Sequence, residues 1–215
     1  RVMAMVSTPF RDAGRSGAIR NILETSYRNR NLLHVTAGSG VPLIKNSIWL
    51  VVRGMVKLEA VTMHGDALLL GLAGPNEPFG EPLTNVQAYG AYTICDSDLL
   101  CLSCAEIEQS PHLAMAMMQA LVSRYRQAET MLSLLGLRRV EERVRGFLEL
   151  LAQDYGQACE TGLRLNLRLT HQELASALST TRVTVTRVLG VLREEGWLQI
   201  DGQRHLVISH LPKRR

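Results

Sequence analysis

Short apolar runs separated by turn residues fill the chain between Asn31 and Ser103. The separators are rich in glycine, for example at residues 38–40 and 74–76. Such regular spacing of short runs is typical of an antiparallel barrel or roll. The pattern predicts strands at Leu32–Val35, Ile48–Val52, Val56–Val61, Ala67–Leu72, Tyr92–Ile94 and Leu99–Leu102.

Near Pro111 the apolar period changes, and apolar residues then recur alternately four and three positions apart. This is the a/d pattern of a two-stranded coiled coil, and a helix of about 23 residues reaches about 35 Å. A small roll alone cannot cover that length, so we predict a homodimer helix over 111–137. The alternative is a core helix packed on its own domain. The predicted dimer contacts are Met118, Leu121, Tyr125, Ala128, Leu132 and Leu135, in a stripe that begins at Ala114.

The segment after Gly136 contains a second amphipathic pattern, from Arg138 to about Asp154. Gly136 itself interrupts the periodicity, which predicts a hinge or a helix end. The N-terminal 30 residues are polar and rich in arginine, and they predict at most one short helix around Ile19, Ile22 and Leu23.

Two short helices are predicted between Leu169 and Gly196. Thr170 and Glu173 fit a capping box that opens the first helix. A three-residue turn, 179–181, separates it from a second helix that ends at the glycine. This arrangement is the signature of a helix-turn-helix.

The second helix carries an apolar set and a polar, basic set. The apolar set is Val183, Val185, Val188, Leu189 and Leu192. Arginine bonds guanine edges bidentately and threonine contacts phosphates or thymine methyls, so we predict insertion into a major groove. The predicted DNA-binding residues are Thr170, Thr181, Arg182, Val183, Thr184, Thr186, Arg187 and Arg204.

An Asp201-Gly202 pair between two apolar runs predicts the hairpin of a wing. The basic residues at 213–215 add charge suited to phosphate contact. Together the patterns predict an α+β protein: a sensor domain over 1–110, the dimer helix and a winged helix-turn-helix over 138–215.

Composition agrees with this organisation. The 215 residues are enough for two domains, 46% of them are hydrophobic, and the net charge of +4 is compatible with a polyanionic partner. No apolar run approaches the ~20 residues of a membrane span. The N-terminus also lacks the apolar core of a signal peptide. The four cysteines suit a reducing compartment, so we expect a cytoplasmic protein.

Metal-binding and catalytic functions are not predicted. Cys101 and Cys104 have C-x-x-C spacing, but no second pair follows, so we interpret them as small buried residues without a metal. The chain has no paired nucleophile and base and no glycine-rich phosphate loop with lysine, so we do not expect an enzyme. The remaining alternative is a small-molecule-binding regulatory module with weak or vestigial DNA binding.

Over about residues 31–210 the sequence resembles the Crp/Fnr family of transcription regulators. The segments 169–175 and 180–190 are most similar to the NtcA group of global nitrogen regulators. Gly54 and the run Pro78 to Glu81 match landmarks of the family's cyclic-nucleotide-binding-like jelly roll. The resemblance implies a homodimer on a palindrome of the GTA…TAC type, with Arg182, Val183 and Arg187 facing bases and RNA polymerase as a partner.

The resemblance also implies an effector site at Phe79, Gly80, Glu81, Tyr89, Arg124 and Glu129. Relatives that bind cyclic AMP hold its phosphate with an arginine, whereas residues 83–91 contain no Arg or Lys, so cyclic AMP is not expected. 2-Oxoglutarate stays open as an effector. Tyr89 stands near the place of a family arginine, and Pro82 lacks an N–H donor. No cofactor is required, and the N-terminal region has no cysteines for an iron–sulfur cluster.

Overall fold

The computed structural model describes residues 21, 24–25 and 28–209. The predicted helix at Ile19, Ile22 and Leu23 and the basic tail at 213–215 therefore lie outside the described residues.

Seven strands form a roll, residues 33–103, from two antiparallel sheets with the orders β1-β7-β2-β5 and β4-β3-β6. The strands are β1 Leu33–Val35, β2 Ser47–Arg53, β3 Val56–Val61, β4 Ala67–Ala73, β5 Pro78–Phe79, β6 Tyr89–Thr93 and β7 Ser97–Ser103. All six predicted strands are present, and only the two-residue β5 lacked a sequence signal. The inward side chains, including Trp49, Val56, Phe79 and Leu99, form the core of the roll.

Two helices follow the roll. Helix α1, Cys104–Gln109, was not predicted, although Ser103 and Glu106 form a complete capping box at its start. Helix α2, Pro111–Leu135, begins with Ser110 as N-cap and ends at Gly136, which confirms the predicted helix end. Cys101 lies in β7 and Cys104 begins α1, and both are only partly buried against the cores. The described residues contain no group of three or more His, Cys, Asp or Glu suited to a metal.

The winged domain, residues 140–209, follows Gly136. It contains α3 Val140–Tyr155, β8 Gly156–Cys159, β9 Gly162–Leu165, α4 His171–Ala177, α5 Arg182–Glu194, β10 Leu198–Ile200 and β11 Leu206–Ser209. Its four strands form one sheet in the order β10-β11-β9-β8. The predicted helix-turn-helix and wing are confirmed, and the β8–β9 hairpin is an addition. Four residues, 178–181, join α4 to α5 instead of the predicted three, because Leu178 already leaves the helix as its C-cap.

The apolar core of the winged domain continues into the rest of the chain. Phe147, Leu174 and Leu192 belong to one cluster with Leu72 of the roll and Met131 of α2. Burial of such side chains is the main favourable term in folding. The winged domain is therefore packed directly on the roll and on α2.

Candidate nucleic-acid interface

Helix α5 buries one side and exposes the other. Val185, Val188 and Leu192 are at most 2% exposed. Val183, by contrast, is 79% exposed and lies with Arg182 outside the core. Its prediction as part of the apolar set was wrong, because at 100° per residue it points about 200° away from Val185.

The outward side of α5 gathers most of the predicted DNA-binding residues. Arg182, Val183, Thr186 and Arg187 are exposed along it, and Thr184 is half-buried. Thr181 is the N-cap, and its Oγ1 accepts a hydrogen bond from the Thr184 amide at 3.2 Å. The helix therefore starts at a fixed point, with its first turns presenting two guanidinium groups and an apolar side chain.

Helix α4 lies against α5 with its start on the same side. Thr170 Oγ1 accepts from the Glu173 amide at 3.1 Å, and Glu173 Oε2 accepts from the Thr170 amide at 2.7 Å, so the predicted capping box is complete. Thr170, His171, Gln172 and Arg182 line one shallow concavity. This cleft joins the beginning of the first helix to the beginning of the second.

His171 belongs to the same concavity as Thr170 and Arg182, although the sequence analysis did not single it out. Its Nδ1 lies 2.7 Å from Thr186 Oγ1, and that hydroxyl donates its only hydrogen to the Arg182 carbonyl at 2.9 Å. His171 Nδ1 must therefore be the donor, which leaves Nε2 as the other polar atom of the ring. The one feature of the sequence that could have indicated His171 is its position directly after the N-cap Thr170, at the start of the first helix of the motif.

The wing differs in detail from the predicted tight turn. Its loop spans residues 201–205, and Arg204 rather than Gly202 adopts the left-handed conformation, with φ 64°. The wider loop is closed by the Asp201 carboxylate, which accepts from the amides of Gln203 at 2.9 Å and His205 at 2.8 Å. These amides, that of His205 first, lower the pKa of Asp201. Arg204 is exposed at the tip of the wing.

Salt bridges and hydrogen bonds attach α4 to the roll. Lys57 Nζ on β3 lies 2.6 Å from Glu173 Oε1 and 2.8 Å from Glu59 Oε1. Burial acts to raise the pKa of Glu173, but the hydrogen bonds from Lys57 and Thr170 outweigh it and lower the pKa. On the edge strand β4, the Leu69 amide donates to Ser176 Oγ at 3.1 Å. The first helix of the motif therefore covers a strand edge of the roll.

The predicted dimer stripe lies on the outward side of α2. Met118 is 57%, Tyr125 63%, Leu132 71% and Leu135 37% exposed. Ala128 is also exposed, whereas Leu121 is half-buried and packs partly against the roll. The opposite side of α2 is buried, with Leu113, Ala116 and Met117 on the roll and Met131 and Leu134 on the winged domain. Within the described chain this helix is thus covered on one side only.

The predicted effector residues do not all meet. Phe79 is 1% exposed in the core of the roll, and Gly80 leads into a short 3-10 helix in which Glu81 is exposed. Glu129 faces outward and accepts a hydrogen bond from the Tyr125 hydroxyl. Phe79, Gly80 and Glu81 therefore lie in the roll, whereas Glu129 lies on the outer side of α2.

Arg124 and Tyr89 do come together on the inner side. The Arg124 guanidinium donates to the Leu72 carbonyl and, at 2.8 Å, to Gln127 Oε1, and it lies over Gly71. Burial raises the pKa of Tyr89 to about 12, while the nearby Arg124 acts in the opposite direction. The guanidinium is therefore already engaged by acceptors of its own chain.

Comparison with known proteins agrees with this architecture. The Crp-like helix-turn-helix domain family matches residues 142–213. The chain is 34% identical to the global nitrogen regulator of Nostoc sp. over 92% of its own length and 89% of the relative's. It is 35% identical to the regulatory protein CysR of Synechococcus elongatus, covering 73% of each chain.

A solved structure shows the same arrangement. A Crp/Fnr-family transcriptional regulator from Thermus thermophilus superposes with a TM-score of 0.67 at 28% identity, covering 84% of this chain and 94% of that one. The relatives are DNA-binding transcription regulators rather than enzymes. With these matches over most of its length, the chain belongs to the Crp/Fnr family of transcription regulators.

Proposed function

We propose that this transcription regulator binds a palindromic DNA site of the GTA…TAC type as a homodimer. The observation that carries the proposal is the outward side of α5, where Arg182, Val183 and Arg187 are exposed while the other side is buried. Arginines at the start of such a helix reach guanine O6 and N7 in a major groove, and Val183 offers an apolar contact to a thymine methyl.

The remaining predicted residues supply contacts to the sugar-phosphate backbone. Thr181 and Thr184 have their hydroxyls at the start of α5, and Arg204 adds a cation on the wing. The hydroxyls of Thr170 and Thr186 donate to Glu173 and to the Arg182 carbonyl, so they would exchange these acceptors for phosphate oxygens when DNA binds. Phosphate contacts fix the register of a protein on the duplex, and base contacts then read the sequence. Binding should therefore weaken as the salt concentration rises.

The exposed stripe of α2 supports the homodimer. Met118, Tyr125, Leu132 and Leu135 recur with heptad spacing on the side that the chain does not cover. A two-fold dimer would place the two recognition helices about one DNA turn, roughly 34 Å, apart. By family likeness we also infer a cytoplasmic location and RNA polymerase as a partner. No described helix is long and apolar enough to cross a membrane.

The predicted effector site offers one cation to a dicarboxylate such as 2-oxoglutarate. Arg124 is the one predicted effector residue with a cationic side chain, and it is engaged by Leu72 and Gln127. 2-Oxoglutarate would have to displace these contacts, so we infer that DNA binding does not require it. The chain is about equally identical to the nitrogen regulator of Nostoc sp. and to CysR. Sequence identity therefore does not indicate which of these relatives shares its effector.

Fluorescence anisotropy tests the proposal with a labelled GTA…TAC palindrome and a scrambled duplex, at two salt concentrations, with and without 2-oxoglutarate. We expect a specific affinity at least about 1,000-fold above that for the scrambled duplex. Stronger binding with 2-oxoglutarate would make it the effector and contradict our reading of Arg124. Equal binding to both duplexes would refute the proposed target.

A further inference from the structure

Three parts of the chain meet in a largely buried polar cluster, which we call the interdomain junction and in which only Ser123 is exposed. It consists of Leu72, Gly74 and Glu77 of the roll, Ser123, Arg124 and Gln127 of α2, and Tyr155 at the end of α3. It lies apart from the DNA-facing side of α5 and from the exposed stripe of α2. None of the residues predicted to contact DNA or a partner copy belongs to it.

Gln127 is the centre of the junction. It is 3% exposed. Its Oε1 accepts from the Leu72 amide at 3.0 Å and from Arg124 Nη1 at 2.8 Å. Its Nε2 donates to Tyr155 Oη at 2.6 Å. One amide therefore contacts the roll, α2 and the winged domain together.

Glu77 forms a second centre. It is 9% exposed, and its Oε1 accepts from Ser123 Oγ at 3.1 Å. Its Oε2 accepts from the Gly74 amide at 2.7 Å and from Tyr155 Oη at 2.7 Å. A buried carboxylate is costly unless it is hydrogen-bonded, so Glu77 favours the arrangement in which α2 and α3 both supply donors.

The ring of Tyr155 is held as firmly as its hydroxyl. A Cβ on Gly74 would lie 2.7 Å from Tyr155 Cε1, so the ring uses the space that only glycine leaves. Burial, followed by the nearby Glu77 carboxylate, raises the pKa of Tyr155 well above its ordinary value. The hydroxyl stays protonated and donates to Glu77 while it accepts from Gln127.

We propose that Gln127, Glu77 and Tyr155 are positioning residues that fix the winged domain relative to the dimer helix and so set the half-site spacing that the dimer reads. The proposal rests on the proposed palindromic function. Other positions of the winged domain would leave buried polar groups of the junction without partners. The recognition side is open in this arrangement, since Val183 is 79% exposed, so the junction orients α5 without covering it.

The experiment compares GTA palindromes whose central spacer is optimal, one base pair shorter or one base pair longer, together with a single half-site. One base pair rotates the second half-site by about a tenth of a turn, so a rigid dimer should discriminate between the spacers. Tyr155→Phe removes only the shared hydroxyl, and Gly74→Ala displaces the ring. Tyr92→Phe removes a tyrosine hydroxyl from β6 of the roll, outside the junction, and is the matched control.

We expect wild type and Tyr92→Phe to prefer the optimal spacer by about tenfold or more, which corresponds to about 1.4 kcal/mol. Tyr155→Phe should reduce the preference to about threefold or less. The loss of one buried hydrogen bond is large enough to account for this reduction. Its affinity for the single half-site should not change. Gly74→Ala should also reduce the preference for the optimal spacer. If the Gly74→Ala protein does not fold, the result for Tyr155→Phe alone tests the proposal.

The failures of the two proposals are distinguishable. If wild type binds palindromes no better than the half-site, the proposed function is wrong. If wild type discriminates and Tyr155→Phe discriminates equally, the function stands and the junction does not set the spacing. Loss of half-site affinity together with a lower melting temperature in Tyr155→Phe would also overturn the inference, because the junction would then only hold the fold.

Discussion

Leu132 offers the sharpest test of the homodimer, and Leu132→Asp is the perturbation. Leu132 is 71% exposed, and burying a whole leucine side chain is worth about 1.5–3 kcal/mol, so two symmetric copies contribute about 2–4 kcal/mol to the dimer. The substitution should therefore weaken dimerisation by roughly 30- to 1,000-fold. Repulsion between the two carboxylates adds to the loss.

Sedimentation equilibrium measures the dimer dissociation constant, and urea unfolding measures the stability of the chain. The unfolding free energy of the monomer, measured at protein concentrations below the dimer dissociation constants, should change by no more than about 0.5 kcal/mol, since Leu132 contacts little within its own chain. Ser133→Asp places the same charge one residue away, outside the stripe, and should leave the dimer intact. A Leu132→Asp protein that dimerises as tightly as wild type would refute the assignment of this stripe.

Three further predictions concern the winged domain. Arg187→Ala should weaken specific binding by about 1–3 kcal/mol in anisotropy titrations, with an unchanged melting temperature; unchanged affinity would remove Arg187 from the interface. Arg204→Gly should relieve the strain of the left-handed backbone and raise the unfolding free energy by about 1 kcal/mol. It should also reduce by about one the slope of the logarithm of the DNA-binding constant against the logarithm of the salt concentration. An unchanged slope would exclude a phosphate contact of Arg204. The pKa of Glu173 is lowered, so its contribution to stability is present above its ordinary pKa of about 4.3 and is lost as the pH falls through the lowered value. Unfolding from pH 7 to pH 3 should therefore depend less on pH in Glu173→Gln, and an identical dependence would contradict the role of the Lys57 pair.

The parts of the fold that were predictable from the sequence depend on local patterns. The heptad stripe of α2 and the capping box at Thr170 each lie within a few turns of chain, so the residues that decide them are close in sequence. The β8–β9 hairpin gave no such signal, because strands of four residues with few apolar side chains resemble loops. Wing geometry was missed for a related reason. Asp201 closes a five-residue loop through its carboxylate, which the Asp-Gly pair alone does not indicate.

Long-range polar contacts were not predictable. Glu77 and Tyr155 are 78 residues apart, and each is an ordinary polar residue in its own segment. The contact between Lys57 and Glu173 joins residues 116 positions apart. The same holds for Arg124, which the family pattern assigns to an effector and which here bonds to Leu72 and Gln127. Such contacts depend on how the winged domain packs on the roll.

The measurement that tests the central claim most directly is the stoichiometry of the specific complex, obtained by sedimentation velocity of the protein with a GTA…TAC duplex and with a scrambled duplex. We expect two chains on each palindrome and no stable complex with the scrambled duplex at the same salt and protein concentrations. One chain per palindrome, or equal complexes on both duplexes, would contradict the proposed dimeric recognition.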